Sequence, residues 1–201
     1  MKIAVYGATG MVGSQIAAEA LRRGHDVTAV SRRVSEVPGA LSRQADLADA
    51  ETFAEIAGAH DVVVLATGPS RTGGDHSEWL EAMKQAYASA GSTRLLVVGG
   101  AGALEIDGKR LVDTDGFPEE YRAEALTLAE AHEAILAAPA ELDWTMLAAA
   151  PEIAPGERTG VYVTAKDSPA GDRISTQDYA VAMLDEIDRP AHRKERFTAA
   201  N

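Results

Sequence analysis

The chain contains no cysteine among its 201 residues. That excludes disulfides, thiolate nucleophiles and cysteine-based metal sites, and it fits a reducing compartment. Basic residues are scarce beside acidic ones: 19 Lys and Arg stand against 31 Asp and Glu, for a net charge of −12. Nucleic acid and anionic membranes both call for a basic surface, so neither is an expected partner. No apolar run nears the roughly 20 residues that span a bilayer. Met1-Lys2 leads straight into a strand pattern ahead of Gly7, which leaves no room for the apolar region of a signal peptide. The expected location is therefore cytoplasmic. The five histidines, His25, His60, His76, His132 and His192, form no compact metal-binding pair, and no metal is expected. A Gly-x-Ser-x-Gly nucleophile elbow is also lacking.

Strand and helix signals alternate along the sequence. Apolar strand patterns fall at Ile3–Tyr6, Asp26–Val30, Asp61–Leu65, Arg94–Val98 and Asp143–Leu147, with a weaker one at Ser42–Ala45. Helical patterns fall at Met11–Arg23, Asp49–Ala57, Asp75–Ala90 and Pro118–Ala138. This alternation predicts an α/β fold: a Rossmann-type doubly wound, mostly parallel sheet with helices on both faces. A length of 201 residues with 46% hydrophobic content suits one domain over residues 1–201. Residues 151–201 change character and are expected to form a short substrate region. They carry a turn-rich stretch at Pro155–Gly160, strand patterns at Val161–Thr164 and Arg196–Thr198, and a helix at Thr176–Asp188 capped by Ser175 or Thr176.

The first chemical motif is Gly7-Ala8-Thr9-Gly10-Met11-Val12-Gly13, placed after strand 1 and opening a helix. Glycines there allow a tight turn and let backbone approach a pyrophosphate, which the helix N-terminus then faces. The expected cofactor contacts are Gly7, Thr9, Gly10, Met11, Val12 and Gly13. At the end of strand 2 an NAD site usually places an acid on the ribose 2′-hydroxyl. Here the residues are Ser31-Arg32-Arg33, a hydroxyl and two guanidinium groups that suit a 2′-phosphate. NADP(H) is therefore expected over NAD(H), the alternative being a solvated basic loop. Asp46 and Leu47 are expected near the adenine, or else Asp46 is a helix-capping or loop aspartate. Ala66-Thr67-Gly68 and Gly99-Gly100, at later strand ends, are expected to let the cofactor lie against backbone, unless they are plain loops.

Together with Leu142-Asp143-Trp144-Thr145-Met146-Leu147 followed by Pro151, these motifs resemble the atypical short-chain dehydrogenases/reductases. The resemblance is to the small NmrA-like and biliverdin-reductase-B or flavin-reductase-like enzymes. It implies an NAD(P)H-binding Rossmann domain and nicotinamide contacts from Pro151, Glu152 and Ile153. It also implies a Tyr-x-x-x-Lys pair on the long helix, and the sequence departs from that: Tyr121 is followed four places on by Ala125. The one literal match, Tyr162-Val163-Thr164-Ala165-Lys166, lies in a strand pattern, which would set the two residues roughly 13 Å apart. His132 is the remaining candidate acid, unless it is simply a partly buried helix residue. Without a dedicated proton donor, an electrophilic acceptor is favoured. The expectation is an NADP(H)-dependent oxidoreductase passing hydride to a flavin, quinone or reactive carbonyl, acting as a monomer or homodimer. The alternatives are a non-catalytic NADP(H) sensor and an epimerase- or dehydratase-like enzyme.

Overall fold

The structure is a computed structural model that describes residues 1–33, 35–70 and 74–201. In chain order the elements are β1 (Lys2–Tyr6), α1 (Gly13–Arg22), β2 (Asp26–Ser31), β3 (Leu41–Gln44), α2 (Ala50–Gly58), β4 (Val62–Leu65) and α3 (Ser77–Ser89). They continue with β5 (Arg94–Gly99), β6 (Glu105–Ile106), β7 (Lys109–Arg110), α4 (Glu119–Leu136) and β8 (Trp144–Ala148). The last are β9 (Glu152–Ala154), β10 (Val163–Lys166), β11 (Arg173–Ser175), α5 (Thr176–Asp188) and β12 (Glu195–Ala200).

Eight strands form one sheet in the order β10-β12-β8-β5-β4-β1-β2-β3. All neighbours are parallel except the edge pair β10 and β12. The expected fold class is the one observed. Alternate residues of each strand feed opposite cores, as the pleat requires. Ile3 and Val5 pack with α1 and α5, whereas Ala4 and Tyr6 pack with α2, α3 and α4. Strand direction reverses its order of addition at β1, which pairs with both β2 and β4. That is the topological switch point, where such sheets leave a crevice at the carboxyl ends of the strands.

A buried ion network closes the opposite end. Arg94, at the start of β5, gives its guanidinium to the Glu186 carboxylate at 2.7 Å and to Thr145 Oγ1 at 3.1 Å. The His192 ring lies 2.8 Å from the other Glu186 oxygen. Nearer the crevice, the buried Tyr179 of α5 donates to the Leu147 carbonyl at 2.6 Å and pins α5 to β8.

Three details differ from the sequence pattern. Helix α1 begins at Gly13 rather than Met11, because Met11 and Val12 belong to the turn leading into it. The strand expected at Val161 begins at Val163, because the residues before it are held by helix side chains instead of a strand partner. A small hairpin of β6 and β7 is added, and its Asp107-Gly108 turn has φ of +52° and +76°, the conformation that Asp-Gly favours between paired strands.

Candidate functional site

The glycine turn sits between the carboxyl ends of β1 and β4. Gly7 has φ of +79°, and a Cβ there would stand 2.4 Å from the Ala66 carbonyl oxygen. A Cβ on Gly13 would stand 2.1 Å from the Gly7 carbonyl oxygen. Both positions are closed to any side chain, so the turn packs directly against β4. Gly10 N–H donates to the Gly7 carbonyl at 2.9 Å and closes the loop. Helix α1 has no side-chain cap and no acid in its first turn. Among the described residues, the N–H groups of Thr9, Met11 and Val12 have no acceptor within the protein. Thr9, Gly10 and Met11 are exposed at the mouth of this cradle. Free N–H groups at the positive end of a helix dipole suit a pyrophosphate.

At the end of β2, Arg32 and Arg33 are exposed, and among the described residues neither guanidinium has an ion-pair partner. Their backbone is fixed instead: Ser31 Oγ donates to the Arg33 carbonyl at 2.6 Å, and Gln44 Nε2 donates to the Arg32 carbonyl at 3.1 Å. The loop is thus shaped while its charges stay unneutralised. Asp46 is exposed, with one carboxylate oxygen accepting from Ala48 N–H at 3.0 Å in a local turn. Leu47 is 6% exposed and packs in the core beside Phe53. Ala66 and Thr67 are half-buried beside Gly7, and Gly68 is exposed with open space around it. Packing accounts for the small size of the glycine pair after β5. A Cβ on Gly99 would meet the Met146 side chain at 2.8 Å, and one on Gly100 would meet Leu128 at 2.6 Å.

Pro151, Glu152 and Ile153 follow the end of β8. Glu152 is exposed on β9, which pairs with β11 so that Glu152 lies beside Arg173. These strands border a cavity of about 710 Å³. Its walls include Ala154, Val161, Tyr162 and Ile174, with Glu152 and Arg173 among the polar lining. The cavity lies past the carboxyl ends of β8 and β12, at the same end of the sheet as the glycine cradle.

Residues 7–190 match the family model for NAD(P)H-binding proteins. The chain belongs to this NAD(P)H-binding family. It is 39% identical over 215 aligned residues to the "Uncharacterized protein YwnB" of Bacillus subtilis, covering all of this chain and 99% of that one. Among solved structures, a "putative exported protein" of Burkholderia pseudomallei is 42% identical with a TM-score of 0.89, over the whole of both chains. A "putative NADH-flavin reductase" of Streptococcus pneumoniae is 34% identical with a TM-score of 0.87, covering all of this chain and 99% of that one. The resemblance to the flavin-reductase-like group therefore holds across the chain. The unfilled N–H groups and the crowded glycines are features of this chain that fit a nicotinamide dinucleotide.

Within this NAD(P)H-binding frame, the candidate acid His132 has a different place. Its ring faces the Arg196 guanidinium at 3.4 Å. Burial, reinforced by that cation, holds its pKa down to about 4. A ring that is neutral at pH 7 is a poor proton donor, so its geometry marks it as a neighbour of Arg196 inside the fold. Tyr162 and Lys166 also have separate partners: Tyr162 donates to Asp185 at 2.6 Å, and Lys166 pairs with Glu195 at 2.7 Å. They do not meet as a pair. No helix among the described residues is long and apolar enough to cross a membrane, and no group of them could hold a metal ion.

Two features escaped the sequence reading. Arg173 carries no local signal, since nothing marks an arginine in a three-residue strand. Glu19 is 4% exposed on α1 and takes guanidinium groups from Arg22, Arg23 and Arg158. Its signal was an acid on the apolar stripe shared by Ile16 and Ala20, followed by arginines three and four residues on.

Proposed function

We propose that this protein is an NADP(H)-dependent oxidoreductase that passes hydride to a small flat acceptor: a flavin, a quinone or a reactive carbonyl. The observation that carries the reading is the pairing, at one end of the sheet, of a phosphate cradle with an apolar-walled cavity. When bound, the dihydronicotinamide supplies the hydride. The chain's own residues hold and orient. Thr9, Met11 and Val12 offer N–H groups to the pyrophosphate within the turn shaped by Gly7, Gly10 and Gly13, and the unpaired Arg32 and Arg33 take the 2′-phosphate with Ser31 beside them. Ala66 to Gly68 and Gly99-Gly100 present backbone along the crevice. Asp46 and Leu47 border the adenine side, through the exposed carboxylate of the one and the backbone of the other. Pro151, Glu152 and Ile153 flank the nicotinamide, and residues 151–201 supply the acceptor side of one domain spanning 1–201. The inward face of α4 carries no Tyr-x-x-x-Lys pair, so protonation falls to solvent, which suits electrophilic acceptors best. A cytoplasmic location, with its supply of NADP(H), belongs to the same reading.

The test is to follow the loss of NADPH absorbance with flavin, quinone and aldehyde panels. Turnover with flavins or quinones, and little with aldehydes, is the expected result. Tight NADPH binding without turnover above background would replace this reading with that of an NADP(H) sensor, which the altered α4 also favours.

A further inference from the structure

Residues 155–162 form one wall of the cavity, yet none of them makes a backbone–backbone hydrogen bond to another described segment. Pro155 to Val161 are all exposed. Side chains hold the segment instead. Gln177 accepts from Gly156 N–H at 2.9 Å, and Ser175 donates to the Glu157 carbonyl at 2.8 Å. Asp178 accepts from Thr159 Oγ1 and from Gly160 N–H, both at 2.7 Å. Those anchors, like the Tyr162 bond to Asp185, come from α5 or the residue that caps it. One anchor reaches the other helix: Arg158 grips the Glu19 carboxylate on α1 through Nε at 2.9 Å and Nη2 at 3.0 Å.

All of residues 155–163 except Arg158 and Gly160 line the cavity, and those two turn to the helices. Arg158 thus ties the wall, through its own backbone, to a carboxylate outside the cavity. Helix α1, which it grips, is the one that opens at the glycine cradle.

We propose that residues 155–162 are an ion-latched strap over the acceptor cavity. Arg158 is its positioning residue: by pairing with Glu19 it holds the cavity wall in place and so sets how tightly the acceptor is bound. The acceptor part of this proposal rests on the functional reading above. Three guanidinium groups hold the Glu19 carboxyl well below the usual carboxylate range, so it stays ionised through the neutral region. The latch therefore keeps its charges across physiological pH.

Arg158→Ala leaves Glu19 paired with Arg22 and Arg23, so no buried charge is orphaned. In the full chain, the KM for the acceptor is expected to rise about fivefold, a factor typical of one ion pair lost. The kcat and the NADPH Kd should stay within about twofold. Arg158→Lys should restore part of the loss, since an ammonium cannot reproduce the two-pronged grip. Hydrogen exchange is the readout independent of turnover. The amides of Gly156, Gly160 and Val161 should exchange about fivefold faster in Arg158→Ala, with α1 and α5 unchanged. Strap amides that keep the wild-type rate would overturn the latch, whether or not the wild type reduces any acceptor. Faster strap exchange with an unchanged acceptor KM would overturn the coupling to binding. Faster strap exchange in a protein that turns over no acceptor would support the latch and leave only the hydride-transfer reading refuted.

Discussion

The two ends of the crevice are built from different materials. On the cofactor side, backbone does the work: Gly7 and Gly13 lie so close to the end of β4 and to each other that a methyl group has no room, and among the described residues the N–H groups of Thr9, Met11 and Val12 have no acceptor within the protein. On the acceptor side, the wall from Pro155 to Tyr162 has no backbone ladder and depends on Glu19, Gln177, Asp178 and Asp185. A cradle made of backbone is fixed by steric exclusion, which has no soft mode. A wall made of side-chain contacts can be loosened one contact at a time. The division suits the proposed reading, in which the cradle holds the cofactor and the cavity takes a separate acceptor.

The largest effect is expected where steric exclusion is broken. Gly13→Ala puts a Cβ 2.1 Å from the Gly7 carbonyl, so the turn must open. NADPH affinity should fall by about a hundredfold or more, with a stability loss of about 2 kcal/mol, measured by fluorescence titration and urea melts. Full-strength binding by this variant would show that the turn has slack and that the comparison fails. Next, Arg32→Ala with Arg33→Ala should weaken NADPH binding by roughly tenfold to a hundredfold while NADH binding moves less than about twofold. Equal losses for both would remove the 2′-phosphate assignment.

A smaller effect concerns His132. Its folded-state pKa of about 4 lies below the unfolded value of 6.5. The stability it contributes is therefore present above about pH 6.5 and is lost progressively as the pH falls toward 4. His132→Gln should remove of the order of 1–3 kcal/mol of that acid sensitivity, read from urea melts at pH 7 and pH 4.5. At pH 7 the same variant should keep most of its turnover, since the neutral ring is not the proton source. Smallest of all, Lys166→Ala loses an exposed pair with Glu195 and should cost less than about 0.5 kcal/mol and leave turnover unchanged. A strong loss of activity in that variant would reopen Tyr162 and Lys166 as a catalytic pair.

The cofactor side was legible because its signals are local. A glycine turn between a strand and a helix, and basic residues at the next strand end, appear as short strings, and the alternating patterns that frame them gave the sheet. Two of the expected contacts also carry a packing role. The Leu47 side chain packs in the core, and Met146 and Leu128 press on Gly99 and Gly100 at the end of β5. The acceptor side was hidden because its contacts span large sequence separations. Glu19 and Arg158 are 139 residues apart. Their meeting depends on α1 packing against α5, which no single segment announces.

The sequence by itself determined the doubly wound parallel sheet, the glycine cradle and the choice of basic residues at the end of β2. Each follows from periodicity or from the conformational range of one residue type. Tertiary structure alone decided that His132 faces a cation, that Arg173 sits beside Glu152 on the cavity rim, and that Arg158 is tied to the helix beneath the cradle. Charges find partners by distance in space, and the chain fixes those distances only once its two layers of helices have closed on the sheet.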